Sequence, residues 1–129
     1  MSAPEVAPVR KTLSQAMIDA YAEASGDHNP IHIDPDYAKT TPMGGTIAHG
    51  MLVLAFISEM MTAAFGRAWS ESGKLDVRFR APARPGDTVT ARARPTSEES
   101  GTLGYAVECV NEKDEVLISG TAQIRRSDA

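Results

Sequence analysis

The sequence has a single cysteine, Cys109, and only 5% aromatic residues in 129 positions. One thiol cannot form an internal disulfide, which excludes the class of disulfide-stapled secreted domains. Positive charge is also scarce, because 13 lysines and arginines stand against 17 aspartates and glutamates and leave a net charge of −4. The chain therefore lacks the basic footprint that nucleic acid or anionic lipid would require, and neither partner is predicted.

An uninterrupted apolar run of membrane-spanning length is missing as well. The stretch 47–65 is poor in charge, but four polar residues interrupt it: His49, Ser58, Glu59 and Thr62. A helix that is apolar nearly all round is typically buried inside its own protein, so we predict a core helix with no membrane contact. The N-terminus has no charged region followed by an apolar core, so no signal peptide is predicted and a cytoplasmic location is expected.

Length and composition predict one domain over residues 1–129. Hydrophobic residues make up 42% of the chain, and a chain of this size can bury a core without disulfides or metals. Neither internal repeats nor a linker divides it. Residues 1–8 are expected to form a loose N-terminal arm.

Two helices are predicted in the first third of the chain. Thr12 and Gln15 have the spacing of a capping box, and Gly26 lies where a helix C-terminal glycine belongs. Asp34 and Pro35 then open a second, short helix that ends before Pro42. The first helix carries apolar residues at helical spacing, which predicts a buried stripe of Leu13, Ala16, Met17, Ala20, Tyr21 and Ala24.

The second half of the chain alternates with a period of two, which is typical of strands. Hairpin-length links separate four such segments, so we predict an antiparallel meander of 75–79, 88–94, 103–109 and 116–124. Helices followed by strands indicate an α+β domain in which the long helix packs against the sheet. Four arginines fall on outward positions of what would be two neighbouring strands: Arg78, Arg80, Arg92 and Arg94. A solvated face explains them, and a phosphate-rich ligand is the alternative.

The residues with the strongest chemical signal lie around the Asn29-Pro30 turn. Asp27 and His32 stand at its two ends, where a carboxylate and an imidazole could face one cavity. Such a pair is suited to acid–base chemistry near neutral pH. The alternative is structural, because an aspartate at a helix end often only satisfies backbone donors.

A second candidate group stands at the start of the long helix. The Gly50 amide has no side chain to shield it, so it could bind a carbonyl oxygen that gains charge, or the glycine could merely allow close packing. Histidines cluster between 27 and 49, yet His28 and His32 span Pro30 and no metal-ligand spacing lies on one helix face, so no metal is predicted. Cys109 is expected to be a buried, inert thiol.

Two segments resemble one family. Tyr21 to His32 (YAEASGDHNPIH) and Gly45 to Leu52 (GTIAHGML) are similar to the motifs of the MaoC-like dehydratases, also called (R)-specific enoyl-CoA hydratases or hydratase 2 enzymes. A third segment, Val77 to Asp87 (VRFRAPARPGD), resembles a strand and turn common to the wider hot-dog fold, whose members have several functions. The resemblance covers about residues 12–125. Ala24 departs from the first motif, which has a larger aliphatic residue or glycine at that position.

The resemblance implies a hot-dog fold, in which a curved antiparallel sheet wraps around a long central helix, and a homodimer whose sheets join edge to edge. It also implies reversible hydration of trans-2-enoyl thioesters to (R)-3-hydroxyacyl thioesters without a cofactor. Asp27 and His32 match the catalytic pair that activates the water, and the Gly50 N–H matches the group that polarises the thioester carbonyl. The remaining substrate-binding or loop-organising positions are Ser25, Asn29 and His49.

Three alternatives remain open at this point. The same chemistry could act on acyl carrier protein thioesters instead of acyl-CoA, and the fold could also serve a thioesterase or a non-catalytic subunit. The acyl tunnel is expected to be lined by Met51, Leu52, Ala55 and Phe56. Chain length and direction of reaction are not predicted.

Overall fold

The computed structural model describes residues 3–126 as five strands and five helices. The strands are β1 (Val9–Thr12), β2 (Lys74–Phe79), β3 (Thr88–Glu99), β4 (Thr102–Val110) and β5 (Val116–Arg125). The helices are α1 (Gln15–Ser25), α2 (Pro30–Ile33), α3 (Pro35–Lys39), α4 (Gly50–Phe65) and α5 (Arg67–Ser72). The predicted α+β class is confirmed.

The strands form one antiparallel sheet in the order β1-β3-β4-β5-β2. The predicted meander is confirmed for β3, β4 and β5, but it is wrong for 75–79, because β2 pairs with β5 and places Val77 opposite Gly120. Alternation indicates that a strand exists and which face it buries, but it does not specify the neighbouring strand. β2 is therefore an edge strand, separated from β3 by β4 and β5.

The arginines are exposed as predicted, but they do not lie on neighbouring strands. Arg92 on β3 pairs with Glu108 on β4, with 2.8 Å between Nε and Oε1. Arg80, which follows β2, donates from Nε to the Ser119 hydroxyl on β5 over 2.9 Å. In the register of the sheet, Arg92, Glu108 and Ser119 lie opposite one another on β3, β4 and β5, so the two contacts are neighbours on one face of the sheet.

The prediction of a loose arm over residues 1–8 is wrong for residues 3–8. Ala3 and Val6 are each only 8% exposed and belong to the core. The Tyr105 hydroxyl donates a hydrogen bond to the Pro4 carbonyl over 2.7 Å, which ties the segment to β4. The short apolar side chains and the pairing of β1 with β3 stabilise this segment. Residues 1–2 lie outside the described residues.

The N-terminal cap of helix α1 lies two residues later than predicted. Thr12 lies in β1, and Ser14 is the cap, because its hydroxyl accepts a hydrogen bond from the Met17 amide over 3.1 Å. Gly26 ends the helix in the left-handed region with φ 79°, as predicted. The predicted stripe is partly wrong: Ile18 and Ala22 are the buried residues of the helix, whereas its alanines at 16, 20 and 24 are exposed.

Helix α4 confirms the predicted core helix. Five of its side chains are at most 5% exposed: Val53, Phe56, Ile57, Met60 and Met61. Burying each such side chain contributes about 1.5–3 kcal/mol, so this helix is a major part of the core. Within the described residues, no helix is both long and apolar enough to cross a membrane.

Cys109 is fully buried on β4, as predicted, with its Sγ 3.7 Å from the Val53 carbonyl oxygen. Burial raises the pKa of this thiol to about 12. The thiol is therefore protonated at neutral pH and cannot act as a nucleophile.

The structure also contains three elements that the sequence patterns did not predict: β1, the one-turn helix α2 and the helix α5, which follows α4 directly. Strand β3 also continues beyond the predicted 88–94 as far as Glu99, with a register shift after Pro95. The short helix α3 was predicted and begins at its Asp34 cap.

Candidate active site

The loop between α1 and α2 is held by its own side chains. The Ser25 hydroxyl accepts a hydrogen bond from the Asp27 amide over 3.1 Å, and the Asp27 carboxylate accepts one from the Asn29 amide over 3.2 Å. Asn29 caps α2 by accepting from the Ile31 amide over 3.1 Å, and Pro30 occupies the first helical position. These local contacts place Asp27 and His32 near each other.

His32 is fixed in one tautomer by a backbone carbonyl. Its Nδ1 lies 2.8 Å from the Ile47 carbonyl oxygen, which can only accept, so Nδ1 carries a proton. In the neutral ring, Nε2 therefore carries the lone pair, and it lies 4.0 Å from Asp27 Oδ2. The His32 side chain is 12% exposed and that of Asp27 is 53% exposed. A water molecule between the two acceptors could donate one hydrogen to each.

His32 lines a cavity of about 320 Å³ together with the start of α4. The Gly50 amide is the first of the helix, and among residues 3–126 it has no hydrogen-bond acceptor. Such an N–H lies at the positive end of the helix dipole, where it can stabilise negative charge. The rest of the lining is mainly apolar and comes from several parts of the chain: Met43, Ile47, Ala48, Val53, Phe79, Arg80, Ala81, Pro82, Ala83, Leu117 and Ile118.

Phe79 at the end of β2 lies close to the backbone of Gly50. A Cβ at Gly50 would lie 2.9 Å from the Phe79 Cε1 atom, so the Phe79 ring would have to shift to accept it. The next residue, Arg80, supplies the only charge that residues 3–126 contribute to the lining without protonation of a histidine. The cavity thus combines an imidazole, a free helix amide and one guanidinium with apolar walls.

His49 lies beneath this cavity and is not part of its lining. Its side chain is buried at 2% exposure, and its Nε2 donates a hydrogen bond to the Asp27 carbonyl oxygen over 2.9 Å. The His49 ring stacks on the His32 ring with centroids 3.9 Å apart. The centroid of the Tyr21 ring, on α1, lies 4.8 Å from that of His49. The site residues named by the sequence are thus brought together around one loop and one helix start.

The sequence pattern of the family described as "MaoC like domain" matches residues 3–116. The chain belongs to the MaoC-like family. Among its relatives, an (R)-specific enoyl-CoA hydratase of Rhodospirillum rubrum is 35% identical over 120 residues, which is 92% of this chain and 83% of the relative. A mitochondrial 3-hydroxyacyl-[acyl-carrier-protein] dehydratase of Arabidopsis thaliana is 32% identical over 117 residues, with 87% and 69% covered.

A solved structure of the R-hydratase PhaJ1 from Pseudomonas aeruginosa has the same fold. It is 25% identical to this chain and superposes with a TM-score of 0.87 over 100% of this chain and 84% of that one. The expectation of a hot-dog fold is confirmed by this similarity. The MaoC-like chain therefore has the architecture that the motif resemblance implied.

The MaoC-like site also groups three potential metal ligands. Asp27, His32 and His49 each offer one donor atom, and these atoms lie within 4.8 Å of one another. An imidazole binds a metal along the lone pair in its ring plane, but the two rings are stacked with an interplanar angle of 26°. The two lone pairs therefore lie in separate, nearly parallel planes and do not point to one common ion position, so the donor set fits a metal ion poorly.

Two groups of residues around the MaoC-like site differ from the sequence expectation. None of the four residues expected to line the acyl tunnel borders the cavity; Gly50 and Val53, three positions apart on α4, face it instead. Phe79 was predicted only as a strand residue, and Arg80 only as one of four outward arginines with a phosphate-rich ligand as the alternative, so no local signal placed either of them beside His32 and Gly50. Gln15 was seen only as a capping residue, but its Nε2 donates to the His32 carbonyl over 2.8 Å.

Proposed function

We propose that this MaoC-like protein catalyses the (R)-specific hydration of trans-2-enoyl-CoA to (R)-3-hydroxyacyl-CoA, and the reverse dehydration. The observation that carries the proposal is the joint position of His32 and Gly50 on one apolar cavity, with Asp27 Oδ2 4.0 Å from His32 Nε2. The relatives named hydratase and dehydratase perform this class of reaction and support the assignment.

In the proposed reaction, Asp27 and His32 hold the attacking water between them. Both present acceptors, so the water oxygen is left with a lone pair directed at C3 of the enoyl group. As the C–O bond forms, the water proton passes to the pair, and the pair returns one proton to C2. Ser25 and Asn29 support this pair through the loop hydrogen bonds.

We assign to the Gly50 amide the role of stabilising the negative charge that develops on the thioester oxygen. Attack at C3 moves electron density through C2 to that oxygen until C2 is protonated. A fixed N–H at the start of the 16-residue helix α4 stabilises this charge without reorganisation. The reaction consequently needs no electron carrier and no metal.

Acyl carrier protein thioesters are the second candidate substrate. The Arabidopsis relative is named for that carrier, and Arg80 places a guanidinium at the cavity, where it could meet the phosphate that both carriers share. A hydratase assay with both carriers distinguishes the two. A role in fatty acid metabolism in the cytoplasm is part of this proposal.

The assay follows the enoyl thioester absorbance with crotonyl-CoA, with longer enoyl-CoA chains and with enoyl-acyl carrier protein. We expect loss of absorbance with at least one CoA substrate, formation of the (R)-3-hydroxy product and no effect of EDTA. Release of a free thiol without hydration would show a thioesterase and contradict the proposal. Activity only with enoyl-acyl carrier protein would identify the acyl carrier protein thioester as the substrate.

We further propose that residues 1–129 act as one domain and that two chains form a homodimer through the outer edge of β2. That edge has no partner strand among the described residues. Two large apolar side chains at the cavity end are also exposed, Phe79 at 56% and Met51 at 58%. Unpaired edges and exposed apolar patches favour association.

Sedimentation velocity tests the dimer. The wild-type protein is expected to sediment with the mass of two chains, and Phe79→Arg is expected to shift it to one chain because a charge would have to be buried. Tyr37→Arg is the matched control, since Tyr37 is also an exposed aromatic, at 46%, but lies on α3. A wild-type protein that sediments as one chain at high concentration would refute the dimer.

A further inference from the structure

His49 is buried in a way that helix capping does not explain. It occupies the cap position of α4, but its side chain makes no capping hydrogen bond, and its φ of −59° and ψ of 134° suit any residue. Its Nδ1 is buried and has no hydrogen-bond partner among residues 3–126. An unsatisfied buried acceptor destabilises the folded state, a cost that an apolar side chain would avoid.

Two contacts of the His49 ring lead to the proposed catalytic pair. Nε2 donates to the backbone carbonyl of Asp27, and the ring face lies against His32. The next residue along the chain is Gly50, whose amide faces the cavity. One side chain thus connects the loop that carries Asp27, the helix that carries His32 and the start of α4.

We propose that His49 is a positioning residue that holds Asp27 and His32 in register and does not contact the substrate. The inference rests on the proposed function. The hydrogen bond fixes the backbone of Asp27, and the stack fixes the plane of His32, so that Asp27 Oδ2 and His32 Nε2 can share one water.

The tautomer of His49 adds to this role. Because the Asp27 carbonyl can only accept, His49 Nε2 carries a proton, and the buried Nδ1 stays unprotonated in the neutral ring. When His32 takes the water proton, its imidazolium lies against the face of the His49 ring. The face of a neutral aromatic ring attracts a cation.

Three substitutions separate the two contacts. His49→Leu removes both, His49→Gln keeps an amide N–H that can reach the Asp27 carbonyl, and His49→Phe keeps a ring that can stack on His32. We expect kcat to fall about 10²-fold in His49→Leu, the loss typical of a displaced reacting group, with little change in KM. The Gln and Phe variants should each recover part of that loss.

His28→Leu is the matched control, because His28 is exposed and its Nε2 hydrogen-bonds to the Glu23 carboxylate. Its kcat is expected to equal that of the wild type, and thermal melting checks that every variant folds. Two results would overturn the inference: a His49→Leu variant with wild-type kcat, or one whose loss lies in KM instead of kcat.

A measurement independent of activity separates this inference from the proposed function. In ¹⁵N spectra of the imidazoles, His32 of the wild type should show a single Nδ1–H tautomer, because Nδ1 bonds to the Ile47 carbonyl. His49→Leu should average it with the other tautomer, because the unstacked ring can turn away from that carbonyl. If the wild-type protein is inactive but the His32 signals still change in His49→Leu, the proposed function is refuted and the positioning role is retained. Unchanged His32 signals in His49→Leu would refute the positioning role whatever the activity.

Discussion

Replacing Asp27 by asparagine is expected to lower kcat for enoyl thioester hydration by about 10³-fold, within the range that one acid–base group contributes. An amide cannot take a proton from water, so the carboxylate half of the proposed pair is lost. The fold should remain intact, because the Asp27 side chain is half-exposed and the asparagine oxygen can still accept from the Asn29 amide. Rates are measured at saturating substrate with the melting temperature as a check on folding.

Two further variants sharpen this prediction. His32→Asn keeps a donor for the Ile47 carbonyl but removes the basic Nε2, so it should lose activity to a similar degree. Asp34→Asn is the matched control: Asp34 caps α3, asparagine is an equally good cap, and turnover should be unchanged. A fully active Asp27→Asn protein would show that the carboxylate takes no part in proton transfer.

The sequence predicted the features that depend on neighbours along the chain. Gly26 ends α1 and Asp34 begins α3, because a cap is defined by a few consecutive residues. Asp27 and His32 were named from their spacing around the Asn29-Pro30 turn, whereas Ser25 and Asn29 were named from the family resemblance. The structure shows that this motif folds through its own side chains. Gly50 was named from its position at the start of the long helix, α4.

Features that depend on distant contacts were predicted less well. The position of β2 beside β5 depends on the pairing of Val77 with Gly120, forty-three positions later, and no local pattern encodes it. For the same reason Phe79 and Arg80 reach the cavity without a signal in the sequence. The buried face of α1 was misjudged because alanines fit both a core and an exposed helix surface, and only packing decides between them.

His49 shows how these two kinds of information combine. Its position beside Gly50 was evident from the sequence, but the chain alone could not show that its ring turns away from the cavity and packs on His32. The sequence therefore supported a His49 that contacts the substrate as well as it supported a His49 that packs beneath Asp27 and His32. The difference lies in a contact between residues seventeen positions apart.

The second large effect is expected from Gly50→Pro, which deletes the N–H assigned to the thioester oxygen. The backbone is prepared for proline, since it is favoured at the first helical position, and the ψ of 134° at His49 suits a residue before proline. Gly50→Ala keeps the N–H and introduces the same Cβ contact with Phe79, whose ring is exposed enough to move. The difference between the two variants therefore isolates the hydrogen bond.

Relative to Gly50→Ala, Gly50→Pro should lose about 10²–10³-fold in kcat, the typical loss when one oxyanion donor is removed. Melting temperatures of the two variants are compared first, so that a difference in stability is not mistaken for one in turnover. Equal kcat in both would mean that the charge on the thioester oxygen is stabilised elsewhere. Arg80, the one guanidinium at the cavity, would then be the group to replace next, because its charge could reach the same oxygen.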